Sequence, residues 1–213
     1  MSESISSDRK DYTKGALQRR DLPVNPMLLM RKWLEDAAEV DPEDYNAMCL
    51  ATLSLQGTSN GRIVLLRSLN EGCLRFFTNY ESEKGKEILA SPNVACIFFW
   101  KEIERQVRIR GIASPSSKEV SDAYFESRPR SSQISAWASK QSSNGKESEL
   151  SQRIKSYQNQ FQKQEAIPRP PFWGGFDVEV EEIEFWQGRP SRLHNRYLYT
   201  KHESLWSIQR LDP

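Results

Sequence analysis

Apolar and polar positions divide the chain into stretches of helical and strand-like period. Asn25 before Pro26 puts a capping side chain ahead of a residue whose fixed φ suits a first helical turn, and Met27, Met30, Trp33, Leu34 and Ala37 continue at helical spacing. From residue 47 the texture changes to short apolar runs, 47–55, 62–69 and 73–78. Turn-forming residues at 56–61 and 70–72 separate them, which predicts an antiparallel meander. A short helix is expected over 82–90, then strands over 94–100 and 106–112 around a charged connection. Ser116 and Glu119 have capping-box spacing for a helix that Val120, Ala123 and Tyr124 continue and Arg128-Pro129 ends, with a second helix directly after. Leu150, Ile154, Tyr157 and Phe161 form the stripe of a further helix, which the proline-rich 168–171 stops. Three more strand-like runs follow, at 176–185, 193–199 and 205–211. Strands at both ends with helices between predict an α+β fold, mainly antiparallel β, in which a closed barrel carries helices outside it.

Composition narrows the classes. The 213 residues suit a single domain over 1–213, with the polar stretch 1–24 expected to be a mobile N-terminal segment. Lys and Arg number 30 against 29 Asp and Glu, a net charge of +1, so there is no basic excess to track a nucleic acid. No apolar run approaches the roughly 20 residues of a membrane-spanning helix, and the first residues, MSESISSDRKDYTKG, lack the apolar centre of a secretory signal. Cys49, Cys73 and Cys96 stand far apart without Cys-x-x-Cys spacing, which suits reduced core thiols and a cytoplasmic protein.

Familiar catalytic signatures are absent: no Gly-x-Ser-x-Gly elbow, no Gly-Lys phosphate loop, no Gly-x-Gly-x-x-Gly fingerprint. His194 and His202 are the only histidines, so no His-rich metal site is expected. What remains is a scatter of cations and hydroxyls bordering strands, the composition that holds a small phosphorylated ligand without a metal. Arg62 and Arg67 close an apolar strand at both ends; strand alternation puts them on opposite faces, so one surface should not present both to a single anion, and the plainer reading is two solvated rim charges. Arg192, His194 and Arg196 recur with period two in the densest segment, 184–196, so a regular strand would project all three from one face and turn Leu193 to the core. Such a face either seats an anion or carries a structural histidine between two solvated arginines.

Taken together, the segments 9–15, 62–66, 77–79, 105–107, 124–129, 132–134, 140–143 and 172–175 resemble the pyridoxamine 5′-phosphate oxidase family. So does Glu184-Phe185-Trp186-Gln187-Gly188 followed by Arg192-Leu193-His194. The resemblance spans nearly the whole chain. It implies an FMN-binding split β-barrel homodimer in which residues from both chains build each site. It also implies oxidation of pyridoxine 5′-phosphate or pyridoxamine 5′-phosphate to pyridoxal 5′-phosphate, with molecular oxygen reoxidising the flavin and giving hydrogen peroxide, and ammonia from the amine. By the same resemblance, Arg62, Ile63, Val64, Leu65, Leu66, Arg67, Phe77, Thr78, Lys84, Gln106, Gln141, Ser142, Trp186 and Arg196 contact FMN. Arg67, Tyr124, Arg128 and Ser132 hold the substrate phosphate, Arg192 and His194 meet the pyridine ring and its reacting end, and Arg9 and Tyr12 close over it. Three positions depart from the family pattern: Arg67 stands where lysine is usual, Glu83 where arginine often helps hold the FMN phosphate, and Ser135 where glycine is usual. Another FMN split-barrel oxidoreductase, or a non-enzymatic pyridoxal phosphate binding module, would share many of these residues. The second phosphate clamp of Tyr124, Arg128 and Ser132 argues against a flavin reductase.

Overall fold

The computed structural model describes residues 11–70 and 72–213. Asn25 caps α1 (Pro26–Val40) as the sequence predicts, its side chain accepting the Met27 amide. The strands are β1 (Ala47–Leu53), β2 (Ser59–Leu65), β3 (Ser68–Asn70), β4 (Cys73–Asn79), β5 (Asn93–Trp100), β6 (Arg105–Pro115), β7 (Trp173–Gln187), β8 (Asn195–His202) and β9 (Leu205–Leu211). Between them lie α2 (Glu83–Ala90), α3 (Lys118–Ser127), α4 (Arg130–Ala138) and α5 (Glu147–Phe161). No helix among the described residues is long and apolar enough to cross a membrane.

The strand order is β2-β1-β5-β6-β7-β4-β3, with β8 paired to β7 and β9 to β8. The predicted meander is therefore two hairpins, β1-β2 and β3-β4, at the two ends of that order. Only Leu66 and Arg67 separate β2 from β3 in the chain, so a sheet with these strands at its ends must curl back on itself. Yet β2 and β3 do not pair, and the closed barrel expected from the strand pattern is split at this seam.

The residues cluster into two compact units. The larger, Met48–Cys96 with Arg110–Val180, holds β2 to β4, α2 to α5 and parts of β1, β5, β6 and β7. In it β4 pairs antiparallel with β7, Phe77 opposite Gly175 and Thr78 opposite Gly174. Phe125, Ile134, Phe161, Ile167 and Trp173 form a buried cluster where α3, α4 and α5 meet β7. The helical stripe accounts for α5: Ile154, Tyr157 and Phe161 pack on this cluster, while Leu150 in the first turn stays exposed. Ser117, one residue later than the spacing suggested, caps α3 by accepting the Val120 amide, because Ser116 is buried and donates to Asp177 instead.

The smaller unit comprises the described part of Met1–Ala47, with Ile97–Ile109 and Glu181–Pro213. Its core is aromatic: Trp33 of α1 meets Phe185 edge-on at 5.1 Å, and Phe185 meets Tyr199 at 5.7 Å. Arg105 lies over the Trp33 ring at 4.7 Å and pairs with Asp36 at 2.6 Å, which ties α1 to the start of β6. The buried Tyr199 hydroxyl donates to the Pro23 carbonyl. Of the three free thiols Cys96 is fully buried, while Cys49 and Cys73 are only half-buried.

Candidate active site

In the larger unit a cavity of about 390 Å³, within the range of small-ligand pockets, opens beside the seam. β2 contributes Ile63, Val64 and Leu65, and the link after it Arg67; β4 contributes Phe77, Thr78 and Asn79; α2 contributes Lys84. The helical side contributes Tyr124, Arg128, Ser135, Ala136, Ser139 and Gln141, and β7 contributes Trp173. One wall is a run of parallel rings. Phe77 and Tyr124 stack with centroids 3.7 Å apart, and Trp173 lies within 13° of the Phe77 plane. Gly175, opposite Phe77, makes this possible, since a Cβ there would come 3.0 Å from the Phe77 ring and 2.5 Å from Ser116 Oγ. Gly174 is equally confined, by the Tyr80 ring.

The polar part of the lining is cationic. Arg67, Lys84 and Arg128 face the cavity and no carboxylate lines it. Lys84 is buried, its ammonium 3.5 Å from the Thr78 hydroxyl, which in turn donates to Gln141 Oε1 at 3.4 Å. Burial, and then the neighbouring Arg62 charge, pull the Lys84 pKa below the ordinary lysine value. The Arg128 guanidinium sits over Trp173 at 4.5 Å, and among the described residues its Nη1 is the buried side-chain nitrogen without a hydrogen-bond partner. Burial and the Arg67 charge depress its pKa as well. Three cations line the cavity, one with an unmet donor, against a flat aromatic wall, while Glu83 and Glu87, the carboxylates that act on Lys84, stand outside the lining: this donor set fits a phosphorylated planar ring, and the residues present fit FMN.

Arg62 is not among the lining residues. Its guanidinium donates to Glu87, Thr52 and the Leu50 carbonyl, with Glu87 at 3.0 Å. Leu66 is buried beside the seam, and Ser132 opens the first turn of α4 with its amide on the Pro129 carbonyl. Ser142 is exposed in a turn at φ 65° next to Gln141.

The remaining expected residues belong to the smaller unit, except Arg9, which lies outside the described residues. Gln106 is half-buried on β6. Tyr12, Trp186 and His194 form one aromatic cluster: Trp186 and His194 at 4.6 Å, and Tyr12 edge-on to both at 5.5 and 5.7 Å. Gly188 leaves room for Tyr12, whose ring carbon would stand 2.7 Å from a Cβ at that position. Segment 11–17 is fastened by Lys14 to Glu104, by Leu17 to Asn195 and by the Arg189 side chain to the Gly15 carbonyl. The strand expected over 193–199 starts only at Asn195. Pro190 opens a 3-10 turn in which Ser191 and Arg192 take φ of 54° and 61°. A regular strand face is thereby broken, and Leu193 is 68% exposed instead of facing the core. Arg192 is exposed, and Arg196 is held by Glu184 at 2.8 Å and by the Asp212 carbonyl.

Trp173, Asn79, Ala136 and Ser139 were not expected at the site. For Trp173 a signal existed, an aromatic directly before paired glycines; for the others the sequence carries none. Nor did spacing reveal that Glu87 claims Arg62, twenty-five residues away.

A family model described as pyridoxamine 5′-phosphate oxidase matches residues 34–172, and one described as the pyridoxine 5′-phosphate oxidase C-terminal dimerisation region matches residues 173–213. The pyridoxine/pyridoxamine 5′-phosphate oxidase of Ralstonia pickettii is 45% identical over 99% of both chains. Among solved structures, PhzG from Burkholderia lata 383, in complex with tetrahydrophenazine-1-carboxylic acid, is 28% identical. It superposes with a TM-score of 0.84 over 91% of this chain and 95% of its own. A pyridoxamine 5′-phosphate oxidase-related, FMN-binding protein from Nostoc punctiforme shares the fold at 17% identity, with a TM-score of 0.71 over 90% of this chain and all of its own.

Proposed function

Because the chain belongs to the pyridoxamine 5′-phosphate oxidase family, we propose that it is an FMN-dependent oxidase that converts pyridoxine or pyridoxamine 5′-phosphate to pyridoxal 5′-phosphate. The observation that carries this reading is the acid-free cavity, where Arg67 and the unmet Arg128 nitrogen stand beside the stacked Tyr124. FMN, when bound, supplies a two-electron acceptor for the hydride leaving the carbon on ring position four, and molecular oxygen takes the electrons on as hydrogen peroxide.

The protein's share of the work is placement. Lys84, Thr78 and Gln141 would hold the cofactor's polar groups, with 63–66 running along it and Phe77 at its side; Arg62 would approach it at the end of that strand, oriented by Glu87. Arg67, Tyr124, Arg128 and Ser132 would clamp the substrate phosphate, so that binding energy far from the reacting carbon fixes its approach. Arg67 keeps the cation of the usual lysine and adds a planar fork suited to two phosphate oxygens. Glu83 is exposed in the first turn of α2, where the helix N-terminus favours a carboxylate, and it does not line the cavity. Arg192 and His194 would meet the pyridine ring, under Tyr12. The active form would be a cytoplasmic homodimer in which a second copy completes each site; the match of 173–213 to a dimerisation region supports it.

Anaerobic mixing of FMN-loaded protein with pyridoxine 5′-phosphate should bleach the visible flavin band, and air should restore it. A band unchanged by both the alcohol and the amine phosphate would overturn the oxidase reading.

A further inference from the structure

His194 is held by a contact that decides which of its nitrogens carries the proton. The backbone amide of Arg189 donates to His194 Nδ1 at 3.2 Å. A backbone N–H can only donate, so Nδ1 must present its lone pair, and the proton of the neutral ring then resides on Nε2. We propose that the Arg189 amide locks His194 as the Nε2–H tautomer, which makes it a fixed hydrogen-bond donor to the substrate instead of a base that takes a proton from it. The donor assignment rests on the oxidase reading above; the tautomer does not.

Three features of the surroundings point the same way. Adding a proton at Nδ1 would set two N–H groups against each other across that 3.2 Å contact. It would also place a third positive charge with Arg192 and Arg196, the charged groups facing the ring, and burial followed by these two charges already draws the His194 pKa below the ordinary 6.5. Turning the ring over to exchange its nitrogens is hindered by the packed rings of Trp186 and Tyr12, whose centroids stand 4.6 and 5.7 Å from its own. The held ring thus has no free lone pair: Nδ1 is engaged and Nε2 donates.

With only His194 and His202 in the chain, long-range proton–nitrogen correlation spectra of histidine-labelled protein resolve both rings, and His202→Asn assigns them. At neutral pH His194 is expected to show an unprotonated Nδ1 and a protonated Nε2, with a titration midpoint below 6.5. An Nδ1–H tautomer, or a midpoint at or above that value, overturns the proposal whether or not the protein turns over either phosphate. In the active protein, His194→Ala should lower kcat/KM about tenfold, the size of one lost hydrogen bond. His194→Gln, whose amide can still donate, should recover most of that loss. A Gln variant as impaired as Ala, with kcat/KM of the parent rising along the His194 titration measured by NMR, would make the residue a base and defeat the donor assignment.

Discussion

Glu87 is a buried carboxylate surrounded by donors: Thr52 Oγ1 at 2.5 Å, Asn60 Nδ2 at 3.1 Å and Arg62 at 3.0 Å. Burial by itself would raise its pKa, but the two neutral hydrogen bonds and the Arg62 charge outweigh it and hold the group below the ordinary 4.5. A depressed folded-state pKa means that the ionised carboxylate stabilises the native state above the unfolded value and that this contribution fades as pH falls below about 4.5. Glu87→Gln should therefore cost about 3 kcal/mol near neutral pH, because Arg62 is left half-buried without its partner. It should also flatten the decline of stability below pH 4.5. Urea unfolding midpoints measured from pH 3 to 7 check both; a variant as pH-sensitive as its parent would show that Glu87 is not the group responsible. None of this was legible in the sequence, where Arg62 reads as the end of a strand and Glu87 as one polar position in a short helix.

At the scale of elements, local signals served well where a boundary has a local cause. Asn25-Pro26 starts α1, Ser82 caps α2 and Arg128-Pro129 ends α3, each through backbone chemistry within a few residues. They failed where a distant partner decides. Ser116 lost its capping duty to Asp177, sixty-one residues on, and the runs read as one meander became separate hairpins because β1 chooses β5 and β4 chooses β7. Alternation also misplaced Leu193, since it assumes the extended backbone that Ser191 and Arg192 abandon. The site was legible as a set of residue types, and its aromatic wall was not, because the wall depends on the pairing of β4 with β7 and on the glycine opposite Phe77. Gly175→Ala should test that dependence. The new methyl meets Ser116 and Phe77, a clash worth about 1–3 kcal/mol of stability, and the displaced Phe77 should weaken FMN binding several-fold. Thermal unfolding and titration of flavin fluorescence measure the two effects separately, and unchanged flavin affinity would remove Phe77 from the cofactor contacts.

For the molecule as a whole, the homodimer expected of an oxidase of this family makes a quantitative claim. A chain of 24.7 kDa should sediment at about twice that mass. If folding and association are coupled, its unfolding temperature should also rise with protein concentration, as mass action requires. A monomer whose unfolding temperature is indifferent to concentration would contradict the proposal.

The pairing of β4 with β7 has a consequence for synthesis. Phe77 and Gly175 face each other across roughly a hundred residues of chain, and such non-local pairs form late. At translation speeds of about 5–20 residues per second, β4 leaves the ribosome on the order of 5–20 seconds before its partner does. For that interval the strand bearing Phe77 and Thr78 offers an open edge to any neighbouring nascent chain. The partner already made is β3, three residues long, which covers only the other side.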